Sequence, residues 1–185
     1  MKRTIPLILA ASLLTGPAVA HPGDHVHSLA AGFSHPLFGA DHLLAMVLVG
    51  LWAAVTGGQR RWVWPAAFVA AMVAGGLAGV SGLSLPFAET AISVSVVVLG
   101  GLAALSLRLP VVLGAALIAG FGFTHGFAHG VEAAGANFGL YALGFVGATA
   151  GLHVLGLVAA RLAGDHLARF AGGRAALAGL GRVLA

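Results

Sequence analysis

The stretch Gly122-Phe-Thr-His-Gly-Phe-Ala-His-Gly-Val-Glu132 ends an apolar run that starts near Val111. Successive residues of a helix turn by about 100°, which places His125, His129 and Glu132 on one narrow stripe. A neighbouring stripe, called the glycine stripe below, repeats glycine at every fourth position: Gly122, Gly126 and Gly130. Such a stripe lets another helix approach closely. The pattern predicts a helix that packs against a second helix and carries half of a metal site.

The composition is that of an integral membrane protein. Of the 185 residues, 59% are hydrophobic and 8% are charged, whereas soluble domains carry about 25% charged residues. The basic residues are scattered singly or in pairs without a basic patch, so we expect no binding to nucleic acid. The sequence contains no phosphate-binding loop and no long polar segment, so we expect no ATP-binding domain in this chain.

The absence of cysteine limits the chemistry of any metal site. It excludes disulfides and thiolate ligands. Nine histidines and five acidic residues then remain as the strong ligands. Histidines are unusual in so apolar a chain, and each ionisable group in a membrane needs a reason to be there.

Residues 1–20 are typical of a secretory signal, with a basic start, a short apolar stretch and the small-residue cleavage site Ala18-Val-Ala20. Cleavage would leave residues 21–185 as a single membrane domain that begins at His21. His21 opens a short histidine-rich segment that could collect cations outside the membrane. A polar tail with incidental histidines is the alternative interpretation.

A second polar cluster, His35-Pro-Leu-Phe-Gly-Ala-Asp41-His42, stands where the first membrane helix is predicted, from about residue 36 to residue 55. Pro36 suits the first helical position and favours an extended His35 before it. Asp41 and His42 cannot both face lipid cheaply, because a charge at mid-bilayer costs roughly 2.5–3.5 kcal/mol on insertion scales. A hydrogen bond between Asp41 and His42 alone could satisfy them, as could a metal ion.

The apolar runs predict an all-α fold, a polytopic membrane bundle of about six helices after the cleaved signal. Their approximate ranges are 36–55, 64–80, 87–107, 111–132, 137–160 and 167–185. Glu89 at the start of the third helix could be a surface acid stabilised by the helix dipole or a metal ligand. We interpret His153 in the fifth helix as hydrogen-bonded to a neighbour, with a ligand for an ion in transit as the alternative. We expect Gly147 and Gly151 on a packing face.

The positions of the basic residues predict the orientation of the bundle. With the mature N-terminus outside, the loops expected inside carry the arginines, as the positive-inside rule requires: Arg60, Arg61, Arg108, Arg161 and Arg169. The turn from Ser81 to Pro86 falls outside and has no basic residue. The His35–His42 cluster, Glu89 and the His125–Glu132 segment would then all lie in the outer half of the membrane.

The spacing His35-x5-Asp41-His42, followed by His125-Gly-Phe-Ala-His129-Gly-Val-Glu132, resembles the two signatures of the HupE/UreJ nickel permeases. The signal, the histidine-rich start and the helix number are similar to that family too. The resemblance implies uptake of nickel, with cobalt as the alternative, across a bacterial inner membrane for hydrogenase or urease maturation. It also implies metal-binding roles at the matching positions: His35, Asp41, His42, His125, His129, Glu132 and Glu89.

The residues themselves are compatible with two classes of function. Imidazole and carboxylate ligands favour borderline divalent ions over Mg²⁺, and a permease would bind such an ion as transported substrate rather than as a permanent cofactor. An intramembrane hydrolase could also use histidine and aspartate to hold Zn²⁺ and activate water. We predict a permease that is not an enzyme, with the zinc hydrolase as the alternative.

Overall fold

The computed structural model describes residues 28–56, 58–133 and 138–184, which leaves the predicted signal and His21 outside the described residues. Within these ranges the protein is all-α, as predicted. The helices are α1 (Leu29–Phe38), α2 (Ala40–Thr56), α3 (Val63–Val80), α4 (Ala88–Ala104), α5 (Val111–Glu132), α6 (Phe138–Ala163) and α7 (Asp165–Leu184), with a 3-10 turn at Gly58–Arg60.

The predicted first helix is broken in two. α1 and α2 meet at Gly39 with an angle of 86°, and α1 begins after Ser28, whose hydroxyl accepts a backbone N–H of the first turn. Pro36 lies inside α1, so the prediction that it starts a helix after an extended His35 was wrong. A proline removes the hydrogen bond of its own nitrogen and its ring crowds the carbonyl four residues earlier, and α1 ends within two residues of Pro36.

Three helical segments are long and apolar enough to cross a membrane: Gly58–Val80, Val111–Glu132 and Phe138–Ala163. The bent pair of α1 and α2 makes a fourth if the two count as one span. α4 is apolar but has 17 residues, and α7 carries charged side chains along its length, among them Arg174 and Arg182. The described residues therefore form a membrane-helix bundle with three or four candidate spans, and the six predicted spans are not confirmed.

α5 packs along α3 through the glycine stripe, as the sequence predicts. A Cβ on any of the three stripe glycines would overlap a backbone carbonyl of α3. Those carbonyls belong to Phe68, Met72 and Gly76. Because no side chain separates the two backbones there, the ligand-bearing face of α5 is held in a fixed orientation toward α2 and α1.

Glycines also bring α6 against the first two helices. A Cβ on Gly144 would overlap the carbonyl of Leu29 in α1, and a Cβ on Gly156 would overlap that of Val47 in α2. By contrast, Gly147 and Gly151 have no neighbour within 4 Å in the part of the chain that the structure describes, so their predicted packing role was wrong. Both glycines are exposed on α6.

Candidate metal centre

α1 and the end of α5 bring three ligand-type side chains together. Nε2 of His35 lies 3.3 Å from Oε2 of Glu132, and Nδ1 of His129 lies 3.2 Å from the same oxygen. One ligand atom from each residue lies within 4.8 Å of the other two. Glu132 therefore joins a histidine of the first sequence cluster to a histidine of the second.

This group spans the boundary between the surface and the interior. The side chain of His129 is 2% exposed, whereas those of His35 and Glu132 are 37% and 48% exposed. The bend at Gly39 makes the contact possible, because it turns α1 so that His35 reaches the end of α5. An ion could meet His35 and Glu132 first and then pass to the buried His129.

His42 extends the group into the bundle. Its ring centroid lies 4.5 Å from that of His129 and 5.1 Å from that of His125. Its Nδ1 lies 3.0 Å from Oδ1 of Asp41. The two polar clusters of the sequence thus meet across the interface of α2 and α5. We call the set the candidate metal centre: His35, Asp41, His42, His125, His129 and Glu132.

Three buried histidines of the centre share one arrangement of their ring nitrogens. Nδ1 of His125 donates to the carbonyl of Phe121 at 2.8 Å, and Nδ1 of His42 and of His129 each face a carboxylate oxygen. The Nε2 atoms of His42, His125 and His129 have no hydrogen-bond partner among the described residues. Metal-ligating histidines commonly use one ring nitrogen in this way, which fixes the tautomer and leaves the lone pair of the other for the ion.

Glu89 does not join the histidines directly. It lines a cavity of about 310 Å³ together with Asp41, Thr90, Ser93 and Arg182. Arg182 comes from α7, and its Nη2 lies 3.7 Å from Oδ2 of Asp41. The cavity is a polar approach to Asp41. Nothing in the sequence indicated this contact, because Arg182 and Asp41 lie at opposite ends of the described chain.

His153 and His21 are the two remaining histidines that the sequence singled out. His153 is 1% exposed, and its Nδ1 donates to the carbonyl of Met46 at 2.7 Å, so the predicted hydrogen bond to a neighbour is present. His21 lies outside the described residues. The other ligand-type side chains named above, on α1, α2, α4 and α5, lie at one end of the bundle.

Known proteins match this chain over nearly its whole length. The HupE / UreJ protein family matches residues 9–182. Protein HupE of Rhizobium leguminosarum bv. viciae is 44% identical over 180 residues, which cover 95% of this chain and 94% of that protein. No solved structure gives a significant match. The family match and the similarity of the relative show that the chain belongs to the HupE/UreJ family.

Proposed function

We propose that this protein carries divalent nickel, with cobalt as the alternative, inward across the bacterial inner membrane. The observation that carries the proposal is the set of three buried imidazoles beside Glu132, whose Nε2 atoms have no hydrogen-bond partner in the part of the chain that the structure describes. Imidazole and carboxylate suit borderline divalent ions, and the choice of nickel among them follows from the family. Supply of the ion to hydrogenase or urease maturation is part of the same proposal.

The proposed route begins at the exposed side of the centre. His35 and Glu132 are the accessible ligands, and the histidine-rich start of a mature chain, beginning at His21, would concentrate ions near them. Glu89 and Asp41 would attract cations into the cavity they share. The ion then exchanges its water for the imidazoles of the buried histidines.

Charge explains why the centre needs two carboxylates. A divalent ion that loses water inside a bundle must be compensated, since Coulomb energies grow steeply as the local dielectric constant falls. Glu132 and Asp41, the second of which also contacts Arg182, supply this negative charge beside neutral imidazoles. Ligands that are partly exposed can also exchange, which a transporter needs. Family membership favours this reading over the zinc-hydrolase alternative.

Uptake into proteoliposomes tests the proposal. Purified protein is reconstituted with an entrapped metal indicator, and Ni²⁺ entry is followed with Co²⁺ or Mg²⁺ as competitor. We expect saturable Ni²⁺ entry that Co²⁺ inhibits and that excess Mg²⁺ leaves unchanged, because Mg²⁺ prefers an oxygen-only ligand set. His166→Ala is the matched control, since His166 is exposed on α7. Entry no faster than in protein-free vesicles would refute the proposal.

A further inference from the structure

A second group of donor side chains lies deeper in the bundle than the candidate metal centre. Met46 stands one helical turn beyond His42 on α2, Met72 lies on α3, and Thr149 and His153 lie on α6. Their exposed fractions are 0%, 2%, 0% and 1%. Three helices therefore direct two thioethers, a hydroxyl and an imidazole into one buried region.

Thr149 brings the two sulfurs together. Its Oγ1 lies 3.3 Å from Sδ of Met46 and 3.6 Å from Sδ of Met72. A hydroxyl has a single proton and a thioether is a weak acceptor, so at least one sulfur receives no hydrogen bond from it. The lone pairs of the sulfurs are therefore largely unused.

His153 adds an unused nitrogen. A carbonyl oxygen only accepts, so the contact of Nδ1 with the Met46 carbonyl at 2.7 Å places the proton on Nδ1. The lone pair is then on Nε2, which is buried and finds no hydrogen-bond partner in residues 28–56, 58–133 and 138–184. An orphaned buried polar atom is costly and calls for a ligand or another reason. Thr149 and His153 are four residues apart, so both project from one face of α6.

Two features connect this group to the candidate metal centre. A cavity of about 30 Å³ is bordered by both His129 and Met72, and a space of this size accommodates about one water-sized particle. On the other side, the ring of Phe68 contacts both His125 and His153, with centroid distances of 5.3 Å and 5.1 Å. The second group therefore adjoins the candidate metal centre.

We propose that Nε2 of His153 and the sulfurs of Met46 and Met72 form an inner station that the ion occupies in transit, with the Thr149 hydroxyl holding the sulfurs in place. The inner station deepens the proposed function and rests on it. Its ligand class is a borderline to soft cation such as Ni²⁺, because thioether and imidazole suit these ions and disfavour Mg²⁺.

The donors of the inner station are all neutral. The candidate metal centre offers Asp41 and Glu132, whereas the inner station has no carboxylate among its four side chains. A dication is therefore held less strongly at the inner station than at the centre. Conduction requires binding that is favourable enough to admit an ion and weak enough to release it. A neutral station following a charged one has this property.

X-ray absorption at the nickel edge tests the station directly. The chain has no cysteine, and its only methionine besides Met46 and Met72 is Met1. Protein loaded with Ni²⁺ beyond one equivalent should show a sulfur shell. The double variant Met46→Leu/Met72→Leu should lose that shell and keep the nitrogen and oxygen shells. A wild-type spectrum without sulfur, or a shell that survives in the double variant, would overturn the inference.

Transport kinetics give a second, independent test. We expect the Met46→Leu/Met72→Leu pair and His153→Gln each to lower the maximal rate of Ni²⁺ uptake about tenfold, with little change in the half-saturating concentration, because capture at the outer centre is intact. Glutamine at 153 can still donate to the Met46 carbonyl but lacks the imidazole lone pair. Uptake at the wild-type rate in both variants would refute the station.

The controls separate this inference from the proposed function. Leu99→Met makes the reverse exchange, which also conserves volume, at a fully buried site on α4. It should leave nickel uptake unchanged. Wild-type protein that transports no nickel contradicts the proposed function, whatever the spectrum shows. If the wild-type protein transports nickel and the inner-station variants transport it at the same rate, the inner station is contradicted and the proposed function is not.

Discussion

Four buried histidines share one arrangement, in which Nδ1 is hydrogen-bonded and Nε2 has no partner among the residues described: His42, His125, His129 and His153. The partner of Nδ1 changes with position. It is a carboxylate for the histidines paired with Asp41 and Glu132, and a backbone carbonyl for the other two. The carboxylate partners therefore belong to the candidate metal centre, while the partner of His153, farther into the bundle, is a backbone carbonyl.

At the level of single residues, we predict that the two sequence clusters act as one site. His42→Ala and His129→Ala should each nearly abolish Ni²⁺ uptake, and the double variant should lose little more, because residues that act as a unit are non-additive. Uptake is measured at matched membrane abundance. Independent multiplicative losses in the double variant would show that the clusters do not bind one ion together.

Removing charge while keeping shape should also disable the centre. Asp41→Asn retains an oxygen for the hydrogen bond to His42 but removes the negative charge, and Glu132→Gln does the same beside His129. We expect each to reduce Ni²⁺ uptake about tenfold or more, because the dication loses compensation at low dielectric. Asp165→Asn, an exposed acid in the first turn of α7, is the control. Unchanged uptake in both centre variants would contradict a charged site.

At the level of the helices, glycine spacing alone does not decide which face packs. Both α5 and α6 repeat glycine at every fourth position. The glycine stripe of α5 contacts α3, whereas Gly147 and Gly151 of α6 meet no described residue within 4 Å. Gly144 and Gly156 make the backbone contacts of α6 instead. The difference arises because a packing face needs a neighbour at the right rotation, which spacing does not specify.

A single methyl group tests the α3–α5 contact. In Gly126→Ala, the added Cβ would overlap the Met72 carbonyl, so the helices must separate at a cost of about 1–3 kcal/mol, as for overpacked cores. Gly120→Ala lies on the same helix with open space around it and should be neutral or slightly stabilising. Thermal unfolding in detergent compares them, and equal stability of the two variants would contradict the close contact.

At the level of the whole molecule, the loop charges predict the orientation in the membrane. A reporter that is active only in the cytoplasm should be active when it is fused after Gly58. A reporter that is active only in the periplasm should be active when it is fused in the Ser81–Pro86 turn, as the positive-inside rule requires. The centre would then face the outer side, where an uptake protein meets its ion. If a reporter that is active only in the periplasm were active at Gly58, the orientation would be the opposite of the predicted one, and the proposed inward transport would be contradicted.

Processing of the N-terminus is a separate prediction. The Ala18-Val-Ala20 site predicts a mature chain that begins at His21, with its histidines exposed on the same side as the centre. Intact-mass measurement of protein purified from membranes checks it. A mass that includes Met1 would contradict cleavage and leave the first 20 residues attached to the protein.

The local features of this protein could be predicted from the sequence. Composition indicates a membrane protein, the absence of cysteine limits the ligand types, and helical periodicity places His125, His129 and Glu132 together on α5. The glycine stripe of α5 is confirmed as the face that contacts a partner helix. The first two are properties of composition, and the last two depend on residues within a few turns of one helix, whose geometry is sufficient to predict them.

Contacts between distant segments were decided only in the tertiary structure. The bend at Gly39 brings His35 to Glu132, Arg182 of α7 reaches Asp41, and the Thr149 hydroxyl contacts two sulfurs 77 and 103 residues away in sequence. Periodicity fixes which side chains share a face of one helix, but not how that helix is rotated against its neighbours. Close backbone contacts at glycine help to set this rotation, and together with the bend at Gly39 it brings these side chains together.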